Sequence, residues 1–306
     1  MEERSWRRLV LLLVALVGGT TQAADDPALM WEEEAMEWRE QRLENLTAPF
    51  GWLSLVALSF PGDGDWQVGT VEDSDLELIS GPDRWGLLEL RGAQAWFTPA
   101  AEGVTVDGEM LSGRTELTVA GELPATRVSA GTGWFEMARR GDRLVFRARD
   151  REAETRRGFQ GLDYFEFDPD WRIDARWEPH PEDATIPIAD VLGELRDQPN
   201  PGRAVFEFNG QTFALEALAA DDELFFILAD RTSGRETYGL GRYLYSDLPA
   251  DGQVVLDFNR SYNPPCAFNA YTTCPLPPPE NRLDVRIEAG ELRYRGSGGI
   301  SPADLR

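Results

Sequence analysis

Lysine is absent from the chain. All 30 basic side chains are arginine, set against 54 carboxylates for a formal net charge of −24. Without an amine there is no Schiff-base or Ser-Lys catalysis, and without GK[ST] there is no phosphate-binding loop of that type. The acidic balance excludes nucleic acid and anionic lipid as partners, because both need a basic footprint. Histidine is nearly missing too: His180 stands alone, between Pro179 and Pro181 in the turn EPHPED. A Ser-His-Asp or Cys-His site has no other ring to use. HExxH and the dinucleotide glycine fingerprint do not occur, so no metal and no cofactor is expected. The chemistry left open belongs to carboxylates, tyrosine and arginine.

Long apolar runs are scarce as well. The one candidate is residues 9–17, LVLLLVALV, preceded by Arg4, Arg7 and Arg8 and followed by Thr21-Gln22-Ala23. As a helix it measures about 14 Å, against ~30 Å of hydrocarbon. That layout is a Sec-type secretory signal with cleavage after Ala23, and no later segment is apolar enough to span a membrane. The mature chain is therefore expected to be periplasmic or secreted. In an oxidising compartment the two cysteines, Cys266 and Cys274, read as one disulfide, contributing about 2.5 kcal/mol in the chain-entropy model, with a metal site or free thiols as the alternatives.

Past the signal, residues 24–48 form an N-terminal helical segment. Trp31, Ala35, Trp38 and Leu46 share a face, opposite Glu33, Glu34, Glu37 and Glu40. Arg39 and Arg42 fall inside the apolar sector, either as snorkelling or ion-paired side chains or as arms reaching a polar site beneath. Residues 49–306 read as a single β-rich domain of short strands and tight turns. Asp107-Gly108 and Asn209-Gly210 are the hairpin signals, the latter between alternating Phe206/Phe208 and Phe213/Leu215. The fold class is all-β: sandwich or barrel-like antiparallel sheets with one N-terminal helix. The proline-rich residues 179–201 mark a candidate subdomain seam or a long surface loop.

The densest chemistry lies in residues 257–283, DFNRSYNPPCAFNAYTTCPLPPPENRL, which hold both cysteines and six of the 20 prolines. Period 2 in the preceding strand puts Val254, Leu256 and Phe258 toward a core, and Asp257 and Asn259 toward another surface. The prolines remove backbone donors and fix φ, so the run is a stiff, shaped loop rather than an inner strand. It resembles the signature of a bacterial family known as domain of unknown function 1684. Residues 51–55 (GWLSL), 156–161 (RRGFQG) and 230–242 (DRTSGRETYGLGR) resemble the same pattern, and together these stretches span residues 30 to 290. The resemblance implies no activity and no catalytic residue.

Four polar stretches are candidates to converge on one pocket. Residues 144–150 supply Arg147 and Arg149, which share a strand face; 156–161 (RRGFQG) follow closely; then come Arg231, Tyr238 and Arg242, and from the loop Asp257, Asn259, Arg260, Tyr262, Asn263, Asn281 and Arg282. If they meet, the pocket is lined by arginine and amide groups and suits a small anionic or sugar-like ligand. Ten tryptophans also suggest carbohydrate stacking, although most belong in a core. One alternative is a carboxylate-dependent hydrolase using Asp257 with Asp230 or Glu280. Another is a non-catalytic envelope protein, in which the same groups brace a loop that lacks ladder hydrogen bonds. Whether the protein is an enzyme, and which protein partners it has, stay open at this level.

Overall fold

The computed structural model describes residues 27–110, 112–120, 124–301 and 303–305. The signal assigned to residues 1–23 lies outside them. The fold is β-rich, with antiparallel sheets behind one long N-terminal helix, α1 (Pro27–Thr47). No helix among the described residues is long and apolar enough to cross a membrane.

The first part of the chain makes ten strands: β1 (Leu55–Ser59), β2 (Gly64–Gly69), β3 (Leu76–Glu77), β4 (Arg84–Arg91), β5 (Gln94–Pro99), β6 (Thr105–Val106), β7 (Thr115–Leu117), β8 (Val128–Ala130), β9 (Gly133–Arg140) and β10 (Arg143–Asp150). One sheet runs β1-β10-β9-β8-β6 and the other β3-β2-β4-β5-β7. Among the strands of the described residues, β2 and β3 pair in parallel and the other ladders are antiparallel. Alternation decides which side chains go inward: Leu88 and Leu90 on β4, Phe146 and Ala148 on β10, all buried. The two sheets close on Phe135, whose ring lies 6.2 Å from Trp85, 5.3 Å from Phe97 and 4.9 Å from Phe146.

After the short helix α2 (Glu154–Arg157) come β11 (Arg172–Pro179), β12 (Thr185–Ala189), β13 (Leu195–Pro199), β14 (Gly202–Phe208), β15 (Gln211–Glu216), β16 (Leu218–Ala220), β17 (Glu223–Leu228), β18 (Arg242–Asp247) and β19 (Gln253–Asp257). They form the sheets β15-β14-β11-β19, β16-β17-β18 and β12-β13. The Asn209-Gly210 turn joins β14 to β15 with φ of 51° and 75°, the left-handed pair that a two-residue hairpin demands. A second apolar cluster, from Trp171 to Ala289, fills this part, while the first cluster ends at Ala148. Residues 179–201 hold the β12–β13 hairpin rather than an irregular loop.

The proline loop leaves β19 and stays packed. Phe258, Asn259, Ser261, Asn263, Cys266, Phe268 and Asn269 are all completely buried. Its return segment is pinned by a pair with no exposure at all, Arg242 and Asp230 at 3.3 Å. Asp230 also accepts from the backbone N–H of Ile287 at 2.7 Å and from the Thr232 hydroxyl at 2.9 Å. Arg242 donates to the carbonyls of Ala289 and Ile287. A buried charge left alone is far costlier than a buried pair. Asp230→Ala is accordingly expected to lower unfolding stability by about 3–5 kcal/mol. Adding Arg242→Met should recover part of that loss, as read from urea denaturation midpoints.

Candidate functional site

The groove begins with the outer face of β9 and β10. Their register sets Arg140 opposite Arg143, Ala138 opposite Val145, Glu136 opposite Arg147 and Trp134 opposite Arg149. Val145 is fully buried, so this face is covered. Arg143 reaches Glu194 at 2.7 Å, and Arg147 stands 3.7 Å from Glu136. Arg149 has no ion pair among the described residues. Its Nη1 donates to the carbonyls of Phe50 and Gly51 at 2.9 and 2.8 Å and to Ser54 Oγ at 3.3 Å. Its Nε and Nη2 make no hydrogen bond within the described chain. Burial, then repulsion from Arg147, lowers this guanidinium to about 10, so it is still charged at neutral pH. Gly51 is needed for the turn that presents those carbonyls, since a Cβ there would lie 2.5 Å from the Leu46 carbonyl oxygen.

The facing wall is aromatic. Phe225 and Tyr245 are directly opposite on β17 and β18, and their rings stack at 4.7 Å. Tyr245 in turn stacks on Tyr262 at 6.4 Å, and Tyr262 meets Trp38 at 5.9 Å. Helix α1 closes the side through Trp38, Gln41, Arg42 and Asn45, the i, i+3, i+4, i+7 stripe of one helical face. Arg42 fastens that helix: Nε lies 2.9 Å from the buried Glu291, Nη2 donates to the Asn263 carbonyl at 2.9 Å, and the guanidinium sits 4.5 Å over the Tyr262 ring. Arg39 does the same at the Phe165 carbonyl, over the Tyr164 ring.

Between these walls lies a cleft of ≈ 690 Å³, lined also by Trp52, Arg149 and Glu223. A cavity of ≈ 200 Å³ continues it past Trp52, Tyr243 and Tyr245 to Arg140 and Arg147. Another, of ≈ 340 Å³, adjoins it past Trp38, Tyr245 and Tyr262 to Arg172, Asp257 and Arg260. Among the described residues no cluster of three or more His, Cys, Asp or Glu could hold a metal ion.

The residues singled out from sequence divide accordingly. Arg149 and Tyr262 line the main cleft, Arg147 the smaller cavity, and Asp257 and Arg260 the third. Asp257 lies 3.3 Å from both Arg172 and Arg260 and accepts from Asn259. It shares no hydrogen-bond partner with Asp230 or with the exposed Glu280. Arg242 is in the interior. Asn259, Asn263 and Asn281 stand in for missing ladder bonds: Asn259 Nδ2 donates to the Asp168 carbonyl at 2.9 Å, Asn263 Nδ2 to Leu292 at 2.7 Å, and Asn281 Nδ2 to Glu216 and Ile227 at 2.9 and 3.0 Å. The Tyr238 hydroxyl donates to the Ile300 carbonyl at 2.6 Å. Arg231 and Arg282 line a separate groove with Asp284. Cys266 and Cys274 stand here as free, buried thiols, with the Cys266 backbone N–H 3.1 Å from Cys274 Sγ.

The cleft residues not anticipated were Trp38, Gln41, Asn45, Trp52, Glu223, Tyr243 and Tyr245. The helical stripe was readable from spacing alone. Two tyrosines at i and i+2 in RYLYSD, on one strand face, were the other available signal.

Residues 157–292 match the model of a family described as Protein of unknown function (DUF1684). The match takes in the segments 230–242 and 257–283 and leaves 51–55 outside. No curated protein matches the chain. Among solved structures it is similar to the solution NMR structure of an uncharacterized protein from Haloarcula marismortui. That likeness has 31% identity, covers 46% of this chain and 81% of the other, and has a TM-score of 0.38. The resemblance to the family of unknown function DUF1684 is thus borne out over residues 157–292 of the chain.

Proposed function

We propose that the protein binds a small ligand carrying an anionic group and a flat or sugar-like ring, in the cleft between α1, β10 and β18, outside the cytoplasm. The observation that carries this reading is Arg149: a largely buried guanidinium that lines the cleft, has no ion pair among the described residues, and leaves Nε and Nη2 without a hydrogen bond there. A carboxylate on that edge forms two charge-assisted bonds and neutralises the buried charge. The stacked Phe225, Tyr245 and Tyr262 offer the ring an apolar platform. Asp257, the acid that a hydrolase would rely on, is engaged by two arginines beside the cleft, and binding rather than hydrolysis is therefore the favoured reading.

Galacturonate, with galactose as the neutral control, tests it by isothermal titration calorimetry. Galacturonate should bind and galactose should not. Arg149→Gln should weaken binding roughly ten-fold or more, the worth of one charged hydrogen bond. Tyr245→Ala, at an exposed position outside the buried clusters, should weaken it several-fold with circular dichroism showing the fold retained. Equal affinity in wild type and both variants contradicts the reading.

Export and the disulfide are part of the same proposal. The backbone approach of Cys266 to Cys274 is compatible with closure of the S–S bond in an oxidising compartment. Protein purified from the periplasm, unfolded and alkylated without reductant, should take up no alkyl group until it is reduced. Two alkylated thiols before reduction contradict it.

A further inference from the structure

Arg140 makes no hydrogen bond and no ion pair among the described residues, although it is half-buried. Its guanidinium is pulled below the usual arginine range by burial and then by Arg147, with Asp190 opposing and Arg196 adding to the repulsion. It lines the ≈ 200 Å³ cavity together with Arg147, Tyr271, Thr272 and Thr273. That cavity and the main cleft share Trp52, Tyr243, Tyr245 and Pro265, so they are two lengths of one groove. Arg140 is paired in register with Arg143, and Arg149 lies six residues further along β10. At ~3.4 Å per residue the two unpaired arginines are therefore roughly 20 Å apart along the strand.

We propose that the groove takes an elongated acidic oligosaccharide, with one acidic group at Arg149, another at Arg140 and Arg147, and the intervening sugar rings on the aromatic wall. This rests on the reading of the cleft given above and extends it. A single-ring acid satisfies one guanidinium and leaves the other without an ion pair. A chain of acidic sugars matches both charges, the stacked rings of Phe225, Tyr245 and Tyr262 between them, and the amide and hydroxyl groups of Gln41, Asn45, Thr272 and Thr273 on the flanks. An acidic peptide matches the charges but gains less from the flat aromatic faces.

The test compares galacturonate with tetragalacturonate by titration calorimetry on the wild-type protein and on Arg140→Gln. The tetramer should bind the wild type at least about ten-fold tighter than the monomer. In Arg140→Gln that ratio should fall to within about three-fold. A tetramer that binds no better than the monomer, or an advantage that survives Arg140→Gln, overturns the two-point groove while leaving the monomer site standing. Failure of both sugars to bind overturns the groove and the parent reading together. Tetraglutamate binding as tightly as tetragalacturonate overturns the sugar assignment, because charge alone is then being read.

Discussion

A guanidinium that leaves water needs acceptors and a counter-charge inside the protein, and Arg242 finds both. Asp230 supplies the charge, and the carbonyls of Ile287 and Ala289 take further donors. Through that one pair the start of β18 is tied to the return of the proline loop, and β18 in turn carries Tyr243 and Tyr245 into the groove. Residues 257–283, just before that return, are closely packed with few ladder bonds. There the backbone N–H groups of Asn259, Asn263 and Tyr271 are held by the Asp257, Glu291 and Asn269 side chains, and prolines reduce the number of donors that need partners.

Arg149 and Arg140 are the contrast. They also give up water, yet neither forms an ion pair among the described residues, in a chain where carboxylates outnumber arginines by 54 to 30. Acid was plentiful, so bare guanidinium groups on a covered face are better explained by a ligand than by a shortage of partners. Neighbouring arginines on the same face behave differently: Arg143 takes Glu194. Arg39, which also gives up water without an ion pair among the described residues, donates instead to the Phe165 carbonyl over the Tyr164 ring.

Much of the scaffold was legible in the sequence because it is written locally. Turn chemistry at Asn209-Gly210, the amphipathic face of α1 and the period-2 strands led to a β-rich fold behind one helix. The shared face of Arg147 and Arg149 followed from the same alternation. The division of the loop residues between cleft and interior was not legible, because their partners are remote in sequence. Asn281 bonds Glu216 and Ile227, and Asn269 bonds Leu55. A buried asparagine that mimics a strand and one that greets a ligand look alike in one dimension. Arg42 resolves into both of the roles its position allowed, since it pairs with Glu291 and lines the cleft.

The account stands on the free edge of Arg149, and arginine side-chain NMR observes that edge directly. The Arg149 Nε resonance, assigned by its loss in Arg149→Gln, should move on titration with galacturonate, while that of the interior Arg242 stays in place. An Arg149 signal that remains fixed at saturating galacturonate contradicts the account.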